Sequence, residues 1–120
     1  MDTVKVLIAI EEEDVAPRFD LTAEVLLAQV ADYNLLDAPK TMVLPQASAE
    51  DLCHLILAES VQVVICGGIE EEFYDYLTWK KVVVIDSVMG PWKKALDRFQ
   101  AGLLEESTVL FDQREHRRHE

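Results

Sequence analysis

The pattern of apolar and polar positions along this chain predicts five β-strands and three α-helices. The near-continuous apolar run at residues 4–10 is typical of a strand buried on both faces, and residues 24–30 and 41–44 predict a second strand and a short third strand. Two further runs of β-branched residues, at 61–65 and 81–86, predict a fourth and a fifth strand. The short polar connection between the second and third strands favours their antiparallel pairing.

Capping signals and apolar spacing predict the helices. Ser48 lies three positions before Asp51, close to a capping box, and opens the first helix. The second helix covers residues 70–79, where an acidic first turn suits the helix dipole. Gly90 and Pro91 open the third helix, with proline at the first helical position. The apolar faces of the three helices are, in order, Ala49, Leu52, Cys53, Ile56 and Leu57; Phe73, Tyr76 and Leu77; and Trp92, Ala95, Leu96, Phe99 and Leu103.

The resulting element order, βββαβαβα, indicates an α/β fold with a mixed sheet flanked by helices. At 120 residues the chain is long enough for one domain with its own core, to which we assign residues 1–104. Residues 105–120 form a C-terminal extension, either flexible or interface-forming, in which 109–111 can add an edge strand or dock on a neighbour. The extension contains five basic residues, Arg114, His116, Arg117, Arg118 and His119. The two histidines suit a metal ion if the segment is helical, although a flexible tail is the simpler interpretation.

Charge and composition exclude several classes of function. The formal net charge of −12 argues against nucleic acid and against anionic membrane surfaces, because both are bound mainly by Lys and Arg. No apolar run approaches the roughly 20 residues of a membrane span, and the N-terminus does not have the pattern of a signal peptide. We therefore expect a cytoplasmic protein. Two cysteines, Cys53 and Cys66, are too few for a disulfide scaffold or a structural zinc site.

The candidate chemistry centres on Cys66, which follows the fourth predicted strand and precedes Gly67 and Gly68. Ligands of α/β proteins commonly bind at the ends of core strands, and paired glycines let the backbone turn sharply and approach a ligand. A thiolate suits a soft metal such as iron or copper, and glycine amides can donate hydrogen bonds to bridging sulfides. The alternative is that Cys66 is a small buried residue that packs at a tight turn.

Other candidate residues have simpler interpretations. Arg18 suits a bound anion because its guanidinium is planar and permanently charged, although a surface ion pair with one of the nearby carboxylates is the simpler interpretation. Cys53 is predicted to lie in the core, and His54 beside it is predicted to be exposed. The acidic runs at 11–14 and 70–72 are typical of solvated loops and helix starts.

Two motifs resemble one protein family. The first is the loop Val15-Ala16-Pro17-Arg18-Phe19-Asp20 with Ala23 beyond it, and the second is the turn Ile65-Cys66-Gly67-Gly68-Ile69. At this spacing and in this strand order, they resemble the dinitrogenase iron-molybdenum cofactor biosynthesis family over residues 3–104. The resemblance implies a three-layer ribonuclease H-like fold, with a five-stranded sheet of order 3-2-1-4-5 whose second strand is antiparallel. It also implies that Glu11, the Cys66 turn and Asp86-Ser87 meet at one sheet edge, under the loop that carries Arg18.

The function that follows from this resemblance is non-catalytic binding or carriage of an iron- and/or molybdenum-containing sulfur cluster, in cofactor assembly or metal trafficking. Cys66 is the expected metal ligand, with Gly67, Gly68 and Arg18 in supporting roles. The expected partners are the cluster and cofactor-assembly proteins of a nitrogenase accessory system. Glutamates 70–72 oppose this interpretation, because they lie where a helix N-terminus would otherwise attract an anionic cluster.

Two alternatives remain open. A degenerate family member can act as a regulatory or protein-interaction module, using the chain from Val109 onward. A divalent-cation-dependent enzyme can use carboxylates at the strand ends, namely Glu11, Glu13, Glu70 and Asp86. A nuclease is excluded, because the first strand contains no acidic residue and the chain is strongly acidic.

Overall fold

The computed structural model describes residues 3–32 and 34–110, which form one sheet with helices on both faces. The strands are β1 (Thr3–Glu11), β2 (Asp14–Val15), β3 (Glu24–Ala31), β4 (Asn34–Leu35), β5 (Lys40–Val43), β6 (Val63–Ile65) and β7 (Val83–Ile85). The helices are α1 (Ala49–Ala58), α2 (Glu71–Trp79) and α3 (Trp92–Gln100), with a short 3-10 helix at Phe19–Leu21. The predicted α/β class, with a mixed sheet flanked by three helices, is confirmed.

The sheet follows the order β4-β3-β1-β6-β7, while β5 also pairs with β3 and β2 pairs with the end of β1. β3 is antiparallel to β1 and to β5, whereas β6 is parallel to both β1 and β7. The described sheet therefore has seven strands, two more than predicted. The additional strands, β2 and β4, have two residues each, which is too short for a periodic pattern.

Side chains that alternate along the strands form a separate core on each face of the sheet. Along β6, Val64 packs into the core beneath α1 and α2, whereas Val63 and Ile65 pack into the core beneath α3. β1 lies at the centre of the sheet, and five consecutive residues of it, 6–10, are buried because both faces are covered. This burial on both faces accounts for the near-continuous apolar run in the sequence.

The helices begin close to their predicted caps. The Ser48 hydroxyl oxygen accepts a hydrogen bond of 3.2 Å from the Asp51 amide, which confirms the first cap. Pro91 was predicted to be the first helical residue of α3, but it is the N-cap, because its ψ of 132° is extended. Leu103 was predicted on the apolar face of α3, but the helix ends at Gln100 and Leu103 is exposed. No helix in the described ranges is long and apolar enough to cross a bilayer.

The chain after α3 packs back onto the domain. Gly102 adopts a positive φ of 74°, and Val109 then forms a parallel bridge with Met89. Leu110 is buried in the core beneath α3, so the predicted boundary at residue 104 does not coincide with a break in packing. The basic tail that contains His116 and His119, and the last residue of the predicted 109–111 strand, lie outside the described residues.

Candidate functional site

Three loops meet at the carboxyl ends of the parallel strands β1, β6 and β7. The Phe19 amide donates to the Gly68 carbonyl and the Gly68 amide donates to the Pro17 carbonyl, each at 2.8 Å. The Ser87 amide donates to the Gly67 carbonyl at 2.9 Å, which connects the loop after β7 to the same turn. The structure therefore brings together the 15–20 loop and the 65–69 turn, the two motifs singled out in the sequence.

Gly67 is required by the close approach of these loops. A Cβ atom at this position would lie 2.4 Å from the Ala16 carbonyl oxygen and 2.5 Å from that of Pro17, so no larger residue fits without moving backbone. From the sequence, we expected the paired glycines to let the backbone approach a ligand and their amides to donate hydrogen bonds to it. At Gly67 the close neighbour is the protein's own loop, and the Gly68 amide donates to the Pro17 carbonyl.

The Cys66 thiol is enclosed in the protein. The residue has 0 % of its surface exposed and packs in the core beneath α1 and α2, together with Phe19 and Val64. Burial raises the pKa of Cys66 from 9.0 to about 12, and the charge of Asp86 adds to the increase. The thiol is therefore protonated at neutral pH, whereas metals bind the thiolate. This geometry does not favour Cys66 as a metal ligand.

Arg18 lies on the loop that pairs with Gly68, but its side chain binds elsewhere. The guanidinium donates from Nε to Oδ1 of Asp20 at 3.0 Å and from Nη2 to Oδ2 at 2.6 Å. Of the two interpretations that the sequence left open, the structure shows the ion pair with a local carboxylate. The backbone of Arg18 does contribute to the site, because it forms a parallel bridge with Gly68.

A cleft of about 410 Å³ opens between the three loops, and we call it the strand-end cleft. It is lined by Asp14, Val15, Pro17, Gly67, Gly68 and residues 87–90. Cys66 and Arg18 are not among the lining residues. Val15 and Val88 belong to the core beneath α3, so the cleft lies toward the opposite face of the sheet from the Cys66 thiol.

The polar groups of the strand-end cleft are few. Asp14 supplies one carboxylate, and the Ser87 hydroxyl donates to Oδ2 of Asp86 at 3.0 Å. Ser87 has a positive φ of 59°, which is uncommon for a residue with a side chain. Met89 adds a thioether and is 53 % exposed. The family resemblance implied that Ser87 lies at this edge, whereas no motif in the sequence singled out Asp14 or Met89. The signal that could have identified Met89 was its position in the loop that follows β7, four residues beyond Ile85.

The carboxylates proposed for a divalent cation do not converge. Within residues 3–32 and 34–110, no group of three or more His, Cys, Asp or Glu side chains is placed to hold a metal ion. Glu70 caps α2 without a side-chain hydrogen bond, and Glu71 and Glu72 fill its first turn.

Cys53 is buried and His54 is exposed, as predicted.

Comparison with known proteins identifies the fold. The chain resembles the crystal structure of PH0822 with a TM-score of 0.79 at 18 % identity, covering 93 % of this chain and 99 % of that one. It also resembles a protein of Methanocaldococcus jannaschii named a "putative dinitrogenase", with a TM-score of 0.71 at 24 % identity, covering 88 % of this chain and 95 % of that one. A "putative NifB protein" from Thermotoga matches with a TM-score of 0.65 at 18 % identity, covering 92 % of this chain and 98 % of that one. No family model and no curated protein matches the chain. At these identities, the likenesses establish a shared fold.

Proposed function

We propose that this protein is a non-catalytic binding protein that carries an iron- and/or molybdenum-containing sulfur cluster in the strand-end cleft. The observation that carries the proposal is the position of the cleft. It lies where the 15–20 loop meets the 65–69 turn, at the carboxyl ends of three parallel strands. Open α/β sheets usually bind their ligands at such an edge.

The proposal includes membership of the dinitrogenase iron-molybdenum cofactor biosynthesis family and its ribonuclease H-like fold. Both motifs of the sequence resemblance contribute to the cleft, through Pro17 and through Gly67 and Gly68. Two of the similar solved structures have names that refer to dinitrogenase and to NifB, and each covers nearly the whole chain. These names support a role related to nitrogenase cofactors, with cofactor-assembly proteins as the partners.

The donor set differs from the one expected from the sequence. The Cys66 thiol is enclosed and protonated, so we assign the sulfur contact to Met89, an exposed residue of the cleft lining that carries a soft thioether donor. Ser87 provides a hydroxyl at the same opening. Asp14 is the acidic residue of the cleft lining, and none of the described Lys, Arg or His residues belongs to that lining. A cluster of low net charge therefore fits this cleft better than a strongly anionic one.

Anaerobic reconstitution tests the proposal. The protein is incubated separately with iron and sulfide and with tetrathiomolybdate, desalted, and examined by metal analysis and visible spectroscopy. We expect retention of iron and sulfide and no retention of tetrathiomolybdate alone, because that ion is a dianion. Met89→Leu keeps the side-chain volume, removes the thioether and should reduce iron retention at least tenfold. Met42→Leu, in β5 away from the cleft, is the matched control and should bind as the wild type does.

The possible outcomes separate the assignments. A wild-type protein that retains no metal contradicts the carrier function. If Cys66→Ala abolishes retention while Met89→Leu does not, then the buried thiol becomes accessible to the cluster and our choice of donor is wrong. Retention by both variants at the wild-type level would place the cluster outside the strand-end cleft.

A second candidate function is the interaction module, and exposed apolar side chains favour it. Trp79, at the end of α2, is 71 % exposed, and Val83 on β7 is 55 % exposed. Large aromatic residues on a surface are enriched among the residues that dominate protein–protein binding. A protein that retains no metal but associates through this region would match the second function instead of the first.

A further inference from the structure

The loop that follows β7, residues 86–90, is hydrogen-bonded on two sides. On its inner side, the Val88 amide donates to the Cys66 carbonyl at 3.0 Å. On its outer side, the Asp86 carbonyl accepts from the Ser107 amide at 2.8 Å. All of the loop except Asp86 lines the strand-end cleft. One wall of the cleft is therefore fixed between the Cys66 turn and the chain that follows α3.

Met89, the sulfur donor assigned above, is bonded only on the outer side of this loop. Its amide donates to the Thr108 carbonyl at 2.9 Å, and its carbonyl accepts from the Leu110 amide at 2.8 Å. These two bonds form the parallel bridge between Met89 and Val109. Because both backbone groups of Met89 bond to this segment, its position in the cleft depends on the chain after α3 and not on the Cys66 turn.

The segment that holds Met89 is itself attached at few points, and we call residues 104–110 the latch. Leu110 is buried in the core beneath α3, and Leu104 is partly buried against the same core. Between them, Ser107 is exposed and Val109 is 46 % exposed. A terminal segment with little buried apolar surface opens locally at a lower free energy than the whole domain unfolds.

The latch also packs directly on the end of the loop. A Cβ atom at Gly90 would lie 2.8 Å from the Cβ of Leu110, and Gly90 has a positive φ of 117°. Release of the latch therefore frees the outer side of the cleft wall at Met89 and at Gly90 together. The inner bond of Val88 does not involve the latch, so the loop stays attached to the domain and the latch can close again.

We propose that the latch detaches from the folded domain and thereby controls the release of cargo from the strand-end cleft. With the latch attached, Met89 is held in the cleft wall and the cargo is retained. With the latch detached, Met89 loses both backbone partners and the affinity for the cargo falls. By linkage, a cargo that binds the attached state favours attachment. The release step rests on the proposed carrier function, whereas detachment of the latch does not.

Native-state hydrogen exchange of the metal-free protein tests the detachment. We expect the amides of Ser107, Met89 and Leu110 to have protection factors about 100-fold or more below those of β1 and β3, with little dependence on urea below the unfolding transition. The matched control is the amide of Val88, next to Met89 but bonded to Cys66, which should be protected as strongly as β1. Equal protection of Met89 and Val88, with the same urea dependence, would overturn the proposal.

Transfer of iron to excess chelator from protein loaded with iron and sulfide tests the release step. Leu110→Ala removes the buried anchor and should release iron about tenfold faster or more. Leu103→Ala is the matched control, because Leu103 is 66 % exposed and precedes the latch, and it should release iron at the wild-type rate. Ile56→Val, beneath α1, lowers global stability with the latch intact and should also leave the rate unchanged.

A second variant loosens the latch without touching the core. Ser107→Pro removes the bond to Asp86 and is incompatible with the φ of 64° at this exposed position, so it should also speed release. Release at the wild-type rate from Ser107→Pro, or release from Ile56→Val as fast as from Leu110→Ala, would contradict control by the latch. A wild type that retains no iron contradicts the carrier function and the release step with it. The exchange contrast between Met89 and Val88 then still decides whether the latch detaches.

Discussion

The two sides of the turn at residues 66–68 offer a solute opposite environments. On the side of α1 and α2, the Cys66 thiol is fully enclosed by apolar side chains. On the other side, Ser87 and Met89 line a cleft of about 410 Å³ that opens to solvent. The residue that is chemically most conspicuous in the sequence therefore lies on the closed side. Proximity to a strand end places the backbone of a residue in a site, whereas the alternation of the strand decides where its side chain lies.

The largest expected effect is on stability at alkaline pH, and it tests the closed side. The pKa of Cys66 is raised to about 12 by burial and by Asp86, above its value in the unfolded chain. The stabilisation from the protonated thiol is therefore complete below about pH 9 and is lost as the pH rises toward 12. Its size is up to about 4 kcal/mol. Urea unfolding at several pH values should show a steeper alkaline loss for wild type than for Cys66→Ala. If wild type and Cys66→Ala lose the same free energy of unfolding as the pH rises, then the thiol is not enclosed.

The next effect concerns the two glycines that separate the environments. Gly67→Ala should lower the free energy of unfolding by about 3 kcal/mol, because the added methyl group meets two backbone carbonyls and neither can move freely. Gly68→Ala is the matched control, because its nearest atom is the Pro17 carbonyl oxygen at 3.5 Å, an ordinary contact. We expect a loss below about 1 kcal/mol for Gly68→Ala. Thermal and urea unfolding measure both, and equal losses would contradict the close packing at Gly67.

The smallest effect is expected at Arg18, whose side chain is exposed. Arg18→Ala removes an exposed ion pair with Asp20 and should change the free energy of unfolding by less than about 0.5 kcal/mol. Metal retention after reconstitution should equal that of wild type, because Arg18 does not line the strand-end cleft. A marked loss of retention would show that the guanidinium leaves Asp20 to contact the cluster, and would restore the role first expected for it.

The sequence predicted the fold well where local signals were strong. The five strands of three or more residues follow apolar runs, and α1 begins at the hydrogen-bonded Ser48 cap. Pairings of two residues, such as β2 and β4, have no periodic signal, and they form only because longer strands bring them together. The start of α3 was predicted less accurately, because a proline is compatible with either the N-cap or the first turn of a helix.

The candidate site was located more accurately than its side chains. The family resemblance implied that the 15–20 loop, the Cys66 turn and Ser87 lie at one edge, and the structure brings their backbones together. The alternation of side chains along β6 could have predicted the enclosure of Cys66. Val64 and Cys66 are two positions apart, so their side chains lie on the same face of the sheet, in the core beneath α1 and α2. The binding of Arg18 to Asp20 and the close contact at Gly67 depend on the three-dimensional course of the loops, which periodicity does not report.

The hydrogen bonds that join the loops also set the order in which the cleft can form during folding. The bond from Phe19 to Gly68 spans 49 positions of the chain, and the bond from Val15 to Gly90 spans 75. Contacts of high sequence separation carry a large loop-closure entropy and slow folding, so they tend to follow local helices and hairpins. The antiparallel pair of β1 and β3 can form early, while the strand-end cleft appears only after the β6–α2–β7 segment has docked. A nascent chain that ends before Gly90 can build much of the sheet, but it has no binding cleft.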